Sequence, residues 1–126
     1  MKASDVRVLI VEDEAIAAML VKAFLGRLGF ASFLQATTAE EAIAVASREN
    51  PGLIVMDIGL PGALDGIDAA RAIKSRGETA VLFATAYADE ETRKRAAETR
   101  PIGFLSKPVK LASFEAVLRE AGFLGT

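Results

Sequence analysis

At 126 residues, 52% hydrophobic and 25% charged, the chain is long enough to bury a core and too short for two ordinary domains. Fifteen basic against 17 acidic residues give a formal net charge of -2, which provides no broad pull toward nucleic acid or anionic lipid. Without cysteine there is no disulfide, thiol nucleophile or zinc–thiolate site, and without histidine the commonest general base and imidazole ligand are missing, so chemistry must rest on carboxylate, lysine and hydroxyl groups.

The N-terminal stretch MKASDVRVLIVEDE has an apolar run of only a few residues, broken by acids, and matches neither a signal peptide nor a membrane span. Cytoplasm is the default location. Val6 to Val11 reads as strand one, and Asp13 to Leu28 as a helix that Gly29 ends. Phe30 to Gln35 is a weaker second strand. Thr38, with Glu41 three positions later, has capping-box spacing and starts the second helix, which Pro51 and Gly52 close. Leu53 to Asp57 is the third and most apolar strand, and Asp65 or Gly66 begins a third helix running to about Arg76. Ala80 to Ala84 is strand four, DEETRKRAAETR a highly charged fourth helix with a solvated face, Ile102 to Leu105 a short fifth strand, and KLASFEAVLREAGF a final amphipathic helix. This alternation predicts an α/β fold of five β/α units, a parallel sheet with helices on both faces.

In an open parallel sheet the site lies beyond the carboxyl ends of the strands. Strand one ends in Glu12 and Asp13, strand three in Asp57, strand four in Thr85, and strand five leads to Lys107. Taken singly, each has an ordinary explanation: acids after a strand often cap helices, Thr85 has strand propensity, and Lys107 before Pro108 suits a surface turn. Together they supply the complementary parts of one site. Three carboxylates in close proximity repel one another and need a cation; Lys107 provides one charge, and an oxygen-only acid cluster suits a hard divalent ion such as Mg2+. That combination indicates phosphoryl transfer.

The ordered strings LIVEDE, LIVMDI, FATA and SKP resemble the receiver domain of two-component response regulators over essentially the whole chain. The resemblance implies a flavodoxin-like fold with strand order 2-1-3-4-5. It implies that Asp57 is the phosphoacceptor, that Glu12 and Asp13 help hold Mg2+ with the Gly59 carbonyl, that Thr85 is the switch hydroxyl, and that Lys107 faces the phosphate through a cis bond to Pro108. A sensor histidine kinase or phosphotransfer protein would donate the phosphoryl group, and a conformational switch would control an effector protein, with no nucleic-acid or membrane partner. Gly59, which equally serves a turn, leaves the acyl phosphate unshielded, and Ala86 is small enough to admit a phosphoryl group and donate its N–H. Phe104 occupies the switch-aromatic position, where packing alone would act, although it is equally an ordinary core residue; Tyr87 shares or replaces it.

AVLFATAYADE also resembles the FATGUY branch of single-domain receivers through Phe83, Ala84, Thr85 and Tyr87, and departs from it at Ala80, Val81 and Ala86. GLPGALDG carries one residue more than the compact loop of many receivers, as in receivers attached to stress-regulator modules. The length suggests a receiver over 1-126 with no output domain; a receiver excised from a longer regulator or hybrid kinase is the alternative, as is a phosphate sink without its own target. A nucleotide- or flavin-binding domain of the same fold lacks support, because EDEAIAA after strand one presents negative charge where a phosphate loop needs glycines. A haloacid-type phosphatase would need a second Asp where Gly59 stands.

Overall fold

The computed structural model describes residues 2–86 and 88–125. A 3-10 turn at Ala3–Asp5 precedes β1 (Arg7–Val11), α1 (Ala15–Arg27), β2 (Ser32–Ala36), α2 (Ala39–Glu49), β3 (Leu53–Met56), α3 (Gly66–Lys74), β4 (Ala80–Thr85), α4 (Glu90–Glu98), β5 (Gly103–Ser106) and α5 (Leu111–Glu120). The strands form one parallel sheet in the order β2-β1-β3-β4-β5.

Apart from Arg7 at the start of β1 and Thr85 at the end of β4, the central strands are apolar because both faces are covered. Leu9, Val11, Ile54, Met56, Val81 and Phe83 pack toward α2 and α3, joined by Ala96 of α4. The alternate residues Val8, Ile10, Leu53, Val55, Leu82 and Ala84 pack toward α1 and α5, where Phe114 and Leu118 are fully buried. A period of two on each strand therefore feeds two cores, and no polar alternation survives in the sequence.

The expected boundaries shift where local bonding overrides apolar pattern. Phe30 does not open β2: its N–H bonds the carbonyl of Leu25 and that of Gly29 bonds Gly26, with Gly29 at φ +106, so both complete the C-terminal turn of α1. The Thr38 hydroxyl accepts from the Glu41 amide at 3.0 Å as expected, but the Glu41 carboxylate returns to the Thr37 amide at 2.6 Å. Helix α3 stops at Lys74, short of Arg76, with the Ser75 hydroxyl donating to the Ala72 carbonyl. Ile102 lies just outside β5, its N–H bonded to Val81.

Helix α1 begins at Ala15 and not at Asp13. Its N-cap is Glu14, whose side chain makes no capping bond. Glu12 Oε2 accepts from the amide of that N-cap residue at 3.2 Å, whereas among the described residues Asp13 makes no such bond, so helix capping accounts for at most one of the two acids.

Candidate functional site

Parallel strands present their carboxyl ends along one edge, so β1, β3, β4 and β5 bring the residues that follow them into one place. Asp57 and Glu12 extend the pairing beyond the strands, their N–H groups bonding Val11 and Ala36, and the Lys107 N–H bonds the Thr85 carbonyl at 2.9 Å. These backbone bonds fix where each side chain starts. Carboxylate oxygens of Glu12, Asp13 and Asp57 lie within 4.8 Å of one another. Glu12 and Asp57 are buried and Asp13 is exposed, so the cluster opens to solvent on the Asp13 side.

Lys107 Nζ bridges the two buried acids, 2.5 Å from Glu12 Oε1 and 3.3 Å from Asp57 Oδ2. The other oxygens are also held: Glu12 Oε2 accepts from the Glu14 amide at 3.2 Å, and Asp57 Oδ1 from the Gly59 amide at 3.3 Å. Burial holds the Glu12 carboxyl above its ordinary value, against the opposing bonds from Lys107 and the Glu14 amide; the Asp57 charge adds a smaller upward push. Burial pulls the Lys107 ammonium down, but its bond to Glu12 and the charge of Asp57 outweigh it and leave the group above its usual range. Desolvation, more than mutual repulsion, is thus what raises the Glu12 carboxyl.

Thr85 is buried at the end of β4 and Ala86 beside it is exposed. The Lys107–Pro108 bond is cis. Phe104 lies three residues before Lys107, half-buried, with its ring centroid 6.2 Å from that of Phe83. The sequence implies packing alone at this ring; the Arg93 guanidinium carbon in fact stands 4.6 Å from its centroid. Tyr87 lies outside the described residues. The direct Lys107 bond to Glu12 and the Arg93 contact with Phe104 were not read from the sequence, because each joins side chains from different elements; the Gly59 amide bond to Asp57 is local, two residues along the chain, and was also missed.

The loop after Asp57 returns to it through α3. Asp65 is the N-cap of that helix, and Asp65 and Asp68 form a reciprocal capping box with both bonds at 2.9 Å. Arg95 of α4 reaches Asp65 at 3.2 Å and Asp68 at 3.7 Å. Burial raises the Asp65 carboxyl, yet the Asp68 amide and Arg95 together leave it below its ordinary value of 3.8. A depressed folded-state value stabilises the protein above the unfolded pKa, and this contribution is lost as pH falls below 3.8 toward the folded value. Asp65→Asn keeps a competent cap but loses the charge. Its thermal midpoint should lie below wild type at pH 7, and the gap should close as the solution is acidified below about pH 4.

Comparison with known proteins assigns this architecture to a family. The family model "Response regulator receiver domain" matches residues 8–119. The transcriptional regulatory protein PdtaR of Mycobacterium tuberculosis is 33% identical over 106 residues, covering 84% of this chain and 51% of that protein. The phyllosphere-induced regulator PhyR of Methylorubrum extorquens is 35% identical over 117 residues, covering 92% of this chain and 43% of its own length. The chain therefore spans about half the length of these curated relatives. Among solved structures, the signal receiver domain of a modulated diguanylate cyclase from Desulfovibrio desulfuricans G20 superimposes with a TM-score of 0.84 at 34% identity, covering 92% of each chain. Among the described residues no helix is long and apolar enough to cross a membrane. A shared five-stranded sheet, a family match that runs from the start of β1 to the last turn of α5, and relatives above 30% identity make this chain a member of the response regulator receiver domains of two-component signalling.

Proposed function

We propose that Asp57 accepts a phosphoryl group from a phosphohistidine of a sensor kinase or phosphotransfer protein, and that the modified domain controls an effector protein. The observation that carries this reading is the bridged acid cluster: two buried carboxylates and one exposed carboxylate within 4.8 Å, with a single ammonium between the buried pair. An Asp57 oxygen attacks phosphorus, the P–N bond breaks, and its electron pair remains on the departing imidazole nitrogen. A carboxylate nucleophile requires no general base, so the lack of histidine in this chain is no obstacle.

One ammonium cannot neutralise three carboxylates, and an oxygen-only donor set fits a hard divalent cation such as Mg2+. Glu12, Asp13, Asp57 and the Gly59 carbonyl would hold it, and the bound ion supplies charge neutralisation at the transferred phosphoryl group. Lys107, bonded to both buried acids, offsets charge on the same oxygens, while Thr85 and the Ala86 N–H donate to the acyl phosphate and Phe104 repacks when the modified domain switches. Gly59 leaves a route for hydrolytic water. Ile16, Met19 and Leu20 of α1 are exposed apolar residues, the first of them three positions after Asp13, and offer the donor an apolar seat.

The test is incubation with acetyl phosphate and Mg2+, followed by a phosphate-retarding gel beside Asp57→Asn. Wild type should give a single shifted band and the variant none. A shifted band that persists in Asp57→Asn would remove the nucleophile from this reading.

A further inference from the structure

Helix α1 is apolar on two faces. Ala18, Val21 and Leu25 are buried against the sheet, whereas Ile16, Met19 and Leu20 are 82%, 67% and 42% exposed. Ala23 and Gly26 continue that outer stripe at helical spacing, and Arg27 ends it, all three exposed. Lys22 turns elsewhere, with Nζ 5.6 Å from the centroid of the Phe33 ring on β2, so no charge interrupts the stripe before Arg27.

The stripe is graded in size and in charge. Its N-terminal half carries the large residues Ile16, Met19 and Leu20 and follows the exposed acids Asp13 and Glu14. Its C-terminal half carries only Ala23 and Gly26 before Arg27, and a Cβ added at Gly26 meets nothing within 4 Å. Among the described residues neither Glu14 nor Arg27 has an ion-pair partner. A surface graded in this way complements itself when reversed. In an antiparallel pair centred between Leu20 and Ala23, Ile16 of one copy lies over Gly26 of the other, and Met19 and Leu20 lie over Ala23. Arg27 then falls beside the acidic end at Asp13 and Glu14. A parallel pair would set Ile16 on Ile16 and Arg27 on Arg27, crowding large residues and opposing like charges.

We propose that a second copy of this chain docks antiparallel on the outer face of α1. Where the pair forms, it covers the apolar seat offered to the phosphoryl donor; that consequence rests on the donor reading above, and the pairing does not. A helix of 13 residues is about 20 Å long, and one pair of such helices buries less than the roughly 1,200 Å2 of stable complexes. The dimer is therefore concentration-dependent, and dilution frees the face for a donor.

Sedimentation velocity across a wide concentration range should show the average mass rising from monomer toward dimer. Gly26→Leu should weaken association roughly tenfold, because its side chain stands where Ile16 of the second copy sits, and its thermal midpoint should not fall below wild type. Arg27→Glu should weaken association about fivefold, since a symmetric pair loses the contact twice, and combining it with Glu14→Arg should restore it. The chain has no cysteine, so disulfide formation reads the orientation. Ile16→Cys and Gly26→Cys, mixed in a glutathione redox buffer, should link to each other, and Ile16→Cys alone should stay monomeric. Wild type that remains monomeric throughout, or Ile16→Cys that links to itself in preference to Gly26→Cys, overturns the pairing. Neither readout involves phosphorylation, so that failure leaves the assignment of Asp57 standing, and the acetyl phosphate gel tests it separately.

Discussion

Gly66→Val is expected to lower the thermal midpoint by roughly 10 °C and to remove most phosphorylation by acetyl phosphate. A Cβ at this position would stand 2.1 Å from the Asp57 carbonyl oxygen, and 2.9 Å from both the Asp57 carbonyl carbon and the Ile58 Cα. These neighbours are backbone, so no side-chain rotation relieves the overlap; either α3 withdraws or the end of β3 shifts. Overpacking against a rigid neighbour costs about 3 kcal/mol, the upper part of the usual range. The displaced atoms belong to Asp57, the residue proposed as acceptor, so phosphorylation should suffer beyond what unfolding explains. Gly26→Ala is the control, because a Cβ there meets nothing within 4 Å inside a helix. It should leave the midpoint unchanged or slightly raised. A Gly66→Val protein with a wild-type midpoint and full phosphorylation would contradict the close approach of α3 to Asp57.

Lys107→Met should produce the second large effect, and one that depends on the metal. The side chains of Glu12 and Asp57 are only 4% and 9% exposed, and Lys107 is the cation bonded to both. Removing the ammonium leaves two poorly hydrated negative charges facing each other, which should cost about 2–3 kcal/mol in chelator-treated buffer near neutral pH, somewhat below the figure for a fully buried pair. Added Mg2+ should then restore more stability to the variant than it adds to wild type, since the ion replaces the lost positive charge as well as binding the native state. Thermal unfolding across a Mg2+ titration checks this. Equal Mg2+ increments in the two proteins would show that the acids and Lys107 do not share one electrostatic site.

Much of this was legible from residue order. Unbroken apolar runs at β1 and β3 require a sheet covered on both faces, and the polar residues that end four of the strands then have one edge on which to meet. Glu12, Asp13, Asp57 and Lys107 were found that way, and their contacts agree with the expectation. Boundaries were less legible where a turn competes with a strand: Phe30 is apolar enough for β2, but Gly29 at φ +106 places it in the closing turn of α1. The Glu41 carboxylate similarly satisfies Thr37, one residue earlier than capping-box spacing suggests.

The amino-acid order by itself determined the alternation of strands and helices, the parallel sheet and the identity of the acids and lysine at its edge, because those follow from periodicity and from where apolar runs stop. Only the tertiary structure decided that Lys107 bonds Glu12 more closely than Asp57, that Gly66 lies against the Asp57 backbone, and that Arg93 and Arg95 of α4 meet Phe104 and Asp65. These contacts join residues distant in sequence, and their distances depend on how helices pack on a twisted sheet, which no local pattern encodes.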